Sequence, residues 1–272
     1  MPPHNSVSTM KGSLRNMPFV IAAPFFMGLL SAPLYGEDTV RDASWYKKNA
    51  TLIFEDSFDR EESGNGLKAI GNGWESATAD RVPQIKQADL DSGILKVTSA
   101  TKEAGHGAHI HHDAGFEDGA VSIRFRLPGL NPDERLQVGF VDRECKTVHA
   151  GHLGYAYITA KPSSIMLKDS KTGSMDLELK KRSAEAQKAT GKVPEDIVAL
   201  LKTKEATFPW TSDTEWHDLL LSVEKDVLSV SVDGKSIGQL KSDGFAHPVK
   251  RWLSFGFLST AWIDDVQIWR VR

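Results

Sequence analysis

The chain has 272 residues, 40% of them hydrophobic, with 33 basic and 36 acidic side chains and a single cysteine. That length and apolar content supply one large core or two modest ones, so disorder is not the default expectation. The slightly acidic balance argues against a nucleic-acid partner, which calls for a basic surface. The lone Cys145 rules out an internal disulfide, a four-cysteine zinc site and a CxxC redox pair.

In chain order, Lys11 and Arg15 precede an apolar run from Met17 to Leu30, and the small residues of "SAPLYG" follow before Glu37. This order predicts a secretory signal peptide over 1–36, cut after Gly36 or Ala32. The run is shorter than the roughly 20 residues a spanning helix needs, and it carries Pro18 and Pro24. The mature chain is therefore expected to be secreted or periplasmic, without a membrane span. Cleavage leaves 31 basic against 36 acidic residues, a net charge of −5. Residues 37–50 read as an N-terminal linker and 51–272 as one domain.

From Thr51 onward the dominant hydrophobic period is two, broken by Gly, Asn and Asp. "GAVSIRFRL" alternates most clearly, with Val121, Ile123, Phe125 and Leu127 on one side and Ser122, Arg124 and Arg126 on the other. "RLQVGFVD" repeats the pattern around Gln137. Further strands are predicted at "LIFEDSF", "GILKVTS", "LGYAYITA", "SIMLKD", "WHDLLLSVE", "VLSVSVD", "KSIGQL", "WLSFGFL" and "AWIDDVQIWRV". More than ten short strands joined by turns predict an all-β sandwich of two antiparallel sheets. One segment departs from this: 174–208 is rich in helix formers and offers Pro194 as a first-turn residue, so it reads as a helical insert. Its mixed charges suit a solvated excursion; a flap over a ligand groove is the alternative.

The stretch "GHGAHIHHDAGF" carries four of the nine histidines. On a strand, His109 and His111 share one face, opposite Ala108, Ile110 and His112. If the strands of "VSIRFRL" and "LQVGFV" adjoin it, Arg124, Arg126 and Gln137 join the same polar face, and the row becomes a candidate ligand-binding groove. "HAGHLGYAY" adds His149 and His152. No cofactor is expected, and a divalent metal on His109, His111, His149 and His152 is the alternative, since imidazoles at i and i+2 are competent ligands.

"GKSIG" matches the G-x-S-x-G pattern around Ser236, but Asp233-Gly234 between two alternating segments signals a hairpin rather than a strand-turn-helix elbow. Sugar recognition wants planar apolar surfaces beside hydrogen-bonding side chains. Trp74, Trp210 and Trp262 lie in or near loop-like sequence and are candidates for that contact.

Several of these pieces stand in a familiar order: "LIFEDSFDREESGNG" before "GW", then "HGAHIHHDAGFEDGAVSIRFRL", "WHDLLLSVEKDVLSVSVDGK" and "FGFLSTAWIDDVQIW". Over 51–271 the chain resembles the concanavalin A-like lectin/glucanase superfamily, and within it the exported bacterial domains classed with the 3-keto-disaccharide hydrolase family. The resemblance implies a jelly-roll sandwich whose concave face or rim handles sugars, with activity on 3-keto-glycosides in some members. No catalytic residue of such members maps onto a motif here. The E-x-D-x-E or E-x-D-x-x-E strand of the family 16 glycoside hydrolases is also lacking: "EKDVLS" offers Glu224 and Asp226 but Leu228 and Ser229 beyond them. The leading expectation is an exported carbohydrate-binding protein. An enzyme on glycosides, hydrolase or lyase, and a structural envelope protein are the alternatives.

Overall fold

The computed structural model describes residues 40–64, 66–76, 82–98, 103, 107–132, 134–257 and 260–272. The expected signal peptide, the start of the linker and His106 lie outside them. In chain order the strands are β1 (Thr51–Asp56), β2 (Glu75–Ser76), β3 (Ala88–Leu90), β4 (Leu95–Val97), β5 (His109–Phe116), β6 (Gly119–Arg126), β7 (Arg135–Val141), β8 (His152–Thr159), β9 (Ser164–Asp169), β10 (Glu205–Pro209), β11 (Trp216–Glu224), β12 (Val227–Val232), β13 (Lys235–Lys241), β14 (Lys250–Phe257) and β15 (Ala261–Arg270). Among the described residues, three α-helices accompany them: α1 (Ala43–Asn49), α2 (Leu177–Thr190) and α3 (Glu195–Thr203).

Two antiparallel sheets form. One holds eight strands, ordered β13-β12-β11-β6-β15-β4-β3 with β1 also on β15. The other holds seven, ordered β10-β9-β8-β7-β14-β5-β2. The period-two alternation explains the sandwich directly. Val121, Ile123 and Phe125 of β6 meet Ile110 of β5, Leu136 and Val138 of β7, and Leu253 and Phe255 of β14, all of them fully buried in one core. Each such side chain contributes about 1.5–3 kcal/mol by leaving water. The β12–β13 hairpin turns on Asp233 and Gly234, both at positive φ, the backbone that Asp-Gly favours, so Ser236 sits in strand β13 as expected.

Two boundaries differ from expectation. Within 37–50, read as a linker, Ala43–Asn49 is a helix: Asp42 caps it by accepting from the Trp45 N–H, and Tyr46 is buried against Ala120, Leu220 and Trp269 on the outside of the eight-stranded sheet. The Tyr46 hydroxyl donates to Glu224 at 2.7 Å, which commits that glutamate to holding the helix. The insert is helical, but only to Thr203. Residues 205–209 form edge strand β10, because Ala206 and Phe208 alternate inward onto the core. Helix α2 is capped by Asp176 and stopped by Gly191 in the left-handed conformation, and it buries no residue, as a solvated excursion would. Pro194 takes the N-cap of α3, one position before the first turn.

Candidate functional site

Strand β5 places its histidines as its period requires. Ile110 points into the core while His109 and His111 face outward. His112, on the core side, is structural: its ring stacks on Phe54 at 3.6 Å and approaches the Asn72 carbonyl at 3.1 Å. Gly73, at φ +84°, is required there, since a Cβ would stand 2.8 Å from His112 Nε2.

Register then builds two adjoining rows on the outer face of the seven-stranded sheet. The first runs His109, Gly256, Gln137, Tyr157 across β5, β14, β7 and β8. The second runs His111, Ser254, Gly139, Tyr155, and Lys168 of β9 continues it. Large polar and aromatic side chains on β5 and β8 thus flank Gly256 and Ser254 on β14 and Gln137 and Gly139 on β7. The His109 and His111 rings stack with centroids 6.3 Å apart, and the Tyr155 and Tyr157 rings meet edge-on at 4.5 Å. The face is closely packed: His111, Gln137 and Tyr155 are each less than a tenth exposed, and Ser254 is fully buried. Burial, ahead of all other causes, raises both phenols, Tyr157 to about 12, so both remain hydrogen-bond donors at neutral pH.

Arg124 and Arg126 do not join this row. Strand β6 pairs with β11 and β15 in the other sheet, so the arginines project from the opposite side of the sandwich. There Arg124 lies 5.0 Å from the Trp216 ring and Arg126 4.9 Å from the Trp262 ring, while Lys96 approaches Trp262 from β4 at 5.0 Å. Arg124 also lines a cleft of about 720 Å³ beside α1 with Lys47, Glu55, Asp218 and Asp265. A single groove face combining His109, His111, Arg124, Arg126 and Gln137 is therefore corrected. The hydrophobic alternation of each strand was legible, but which strands are neighbours is a matter of topology.

Two tryptophans move as well. Trp74 is fully buried, stacks on Phe255 and donates its indole N–H to Asp56 at 2.8 Å, so it is a core residue without a face for a ligand. Trp210 is partly buried and packs on Phe125 and His217. His217 bridges Asp213 and Asp233 at 2.9 and 2.8 Å. The four histidines proposed for a metal do not converge. His149 and His152 lie at the start of β8, where burial, His149, Arg143 and Lys180 all depress the His152 pKa. Among the described residues, no three His, Cys, Asp or Glu side chains gather as metal ligands do.

Sequence reasoning assigned no site role to Ser254, Tyr155, Tyr157 or Arg135. The signal was present in "LGYAYITA" and "WLSFGFL", where one parity holds polar or small residues and the other apolar ones, but only the pairing of β8, β7 and β14 brings them beside the histidines.

No protein-family model matches the chain, and no curated protein matches it. Solved structures do. SCLam, a non-specific endo-beta-1,3(4)-glucanase from family GH16, is similar at TM-score 0.52 and 13% identity, over 83% of this chain and 92% of that one. A structure described under endo-acting O-glycanases that members of the human gut microbiota express to initiate mucin breakdown is similar at TM-score 0.50 and 12% identity, over 82% of this chain and 100% of the other. The carbohydrate-binding module CBM66 from Bacillus subtilis aligns at TM-score 0.45 and 12% identity, over 71% and 93% of the two chains. At such identities the likeness bears on architecture alone: the chain has the concanavalin A-like jelly-roll fold, a β-sandwich of two antiparallel sheets.

Proposed function

We propose that this chain is an exported carbohydrate-binding protein that takes a glycan on the outer face of its seven-stranded sheet. The observation that carries the reading is the pair of registered rows, His109–Gly256–Gln137–Tyr157 and His111–Ser254–Gly139–Tyr155. They set hydrogen-bonding side chains beside aromatic rings on one face, the mixture sugar recognition uses. Export rests on Lys11 and Arg15 ahead of the apolar run and the small residues after it. Retaining hydrolysis by two acids needs carboxyl groups about 5–5.5 Å apart. Among the described residues, the central strands β14, β7 and β8 place no Asp or Glu on this face, which favours recognition over that chemistry.

The test is a glycan-array screen of untagged protein 37–272, run with and without chelator, followed by the variant Gln137→Ala. Binding to a defined glycan that survives chelation and weakens in Gln137→Ala supports the reading. Binding that Gln137→Ala leaves intact places the site elsewhere, and absence of binding to any glycan overturns the reading.

A further inference from the structure

The polar face is uneven in charge. Arg135 begins β7 opposite Thr159, on the same side as Gln137 and one diagonal step from Tyr157. Its Nε is buried without a hydrogen-bond partner, and among the described residues no carboxylate pairs with its guanidinium. Lys168, on the far side of Tyr157, shares its charge with Glu205 of edge strand β10 at 2.9 Å. The Tyr157 phenol feels both cations, yet burial and the neighbouring Tyr155 outweigh them and keep it protonated. Around Tyr157, whose hydroxyl also meets Tyr155, the face thus offers the Arg135 guanidinium, the Gln137 amide and, two rows from Arg135, the Lys168 ammonium; the carboxylates of this face are Glu205 beside Lys168, Glu75 on edge strand β2 and Asp113 on β5.

Neutral sugars donate as well as accept hydrogen bonds, so a site built for them supplies acceptors, commonly carboxylates. A donor-rich end carrying an unpaired guanidinium fits a ligand that brings its own negative charge. The planar fork of arginine beside a planar amide matches the two coplanar oxygens of a carboxylate better than a tetrahedral sulfate. We propose that Arg135, Gln137, Tyr157 and Lys168 form a subsite for the carboxylate of a hexuronate, so that the glycan held on this face is an acidic one. The inference rests on the glycan-binding reading and deepens it.

Calorimetric titration with tetramers of galacturonate, mannuronate and guluronate, each beside its carboxyl-reduced counterpart, tests it. The expected result is that one acid tetramer binds about tenfold or more tightly than its reduced twin and that this preference shrinks with added salt. The preference disappears in Arg135→Gln and in Tyr157→Phe, each checked for native circular dichroism, and persists in Arg124→Ala on the opposite face. Equal affinity for acid and reduced forms overturns the acidic-sugar inference while leaving glycan binding intact. Binding of a sulfated galactan tetramer in preference to every hexuronate overturns the carboxylate assignment. Failure of every acid, reduced and arrayed glycan to bind overturns both proposals together.

Discussion

The two outer faces of this sandwich are built from the same alternating strands yet present opposite chemistries. On the eight-stranded sheet, charge is largely answered within the protein: Arg126 donates to the Thr214 carbonyl and lies over Trp262, and Lys96 is paired with Asp91. Arg124 has Asp264 at 4.0 Å. Helix α1 covers part of this face through Tyr46 and Trp269. On the seven-stranded sheet, β7 and β8 carry phenols, an amide and Arg135, β5 carries His109, His111 and Asp113, and Glu75 and Glu205 stand on the edge strands. The lesson is that a row of polar residues with outward parity does not define a site. What distinguishes the second face is Arg135, whose buried Nε has no hydrogen-bond partner among the described residues.

The sharpest way to break the comparison is at the joint between the sheets. Asp56, at the end of β1, accepts from both Arg60 terminal nitrogens, the Phe58 N–H and the Trp74 indole. Although burial opposes its charge, those hydrogen bonds hold its carboxyl below the ordinary range. Asp56→Ala, which leaves a half-buried guanidinium and a buried indole without this acceptor, is expected to cost about 2–3 kcal/mol, measured by urea unfolding. Because this pKa is depressed on folding, its contribution is complete above the unfolded value of about 4 and is lost as pH falls further. Asp56→Asn should therefore flatten the acid limb of the stability profile.

Next in size is a binding contrast. Gln137→Ala should weaken the glycan found by array about tenfold, the loss of one or two hydrogen bonds in a packed site. Arg126→Ala, on the other face, should leave affinity within about twofold. Calorimetry on both variants decides whether the faces are functionally distinct, and equal losses would erase the distinction. On the covered face, Trp262→Ala removes two cation–π contacts and part of a ring from cover. It is expected to lower stability by about 1–2 kcal/mol with glycan affinity unchanged, checked by thermal unfolding beside calorimetry.

The smallest effect separates two histidines by sign. Burial disfavours charge on His217, but hydrogen bonds from its ring to Asp233 and Asp213 outweigh it and raise its pKa. Its stabilisation is thus present below the unfolded value of about 6.5 and fades as pH rises through the higher folded value. His152, depressed chiefly by burial, acts oppositely: the folded state resists protonation, and stability falls as pH drops below about 6.5. His217→Gln should cost about 1 kcal/mol near pH 6 and less toward pH 9, whereas His152→Gln should remove a loss that appears only on the acidic side. Urea midpoints across that range read both.

Much of the molecule was legible without coordinates. Alternation in "GAVSIRFRL", "RLQVGFVD" and "WLSFGFL" gave the strands and their inward residues, since side chains on a strand must alternate and the apolar parity must be buried. The outward parity of His109 and His111, and the core side of His112, followed from the same rule. The helical insert was legible in composition, although its end was not, because Ala206 and Phe208 look no different in a frayed helix than in an edge strand until a partner strand is known. Trp74 misled for a related reason: its glycine-rich flanks resemble a loop, and that loop folds inward so that the indole reaches Asp56.

Sequence alone therefore determined which residues could form strands, which parity each would bury, and the class of fold, because those depend on local periodicity and on the need to remove apolar surface from water. Tertiary structure decided which strands adjoin. Strand β6 lies between β11 and β15, which carries Arg124 and Arg126 away from the histidines, and β14 lies between β5 and β7, which brings Ser254 and Gln137 to them. Pairing between strands separated by more than a hundred residues rests on the fit of all the side chains in the core together, and no short window of sequence contains that information.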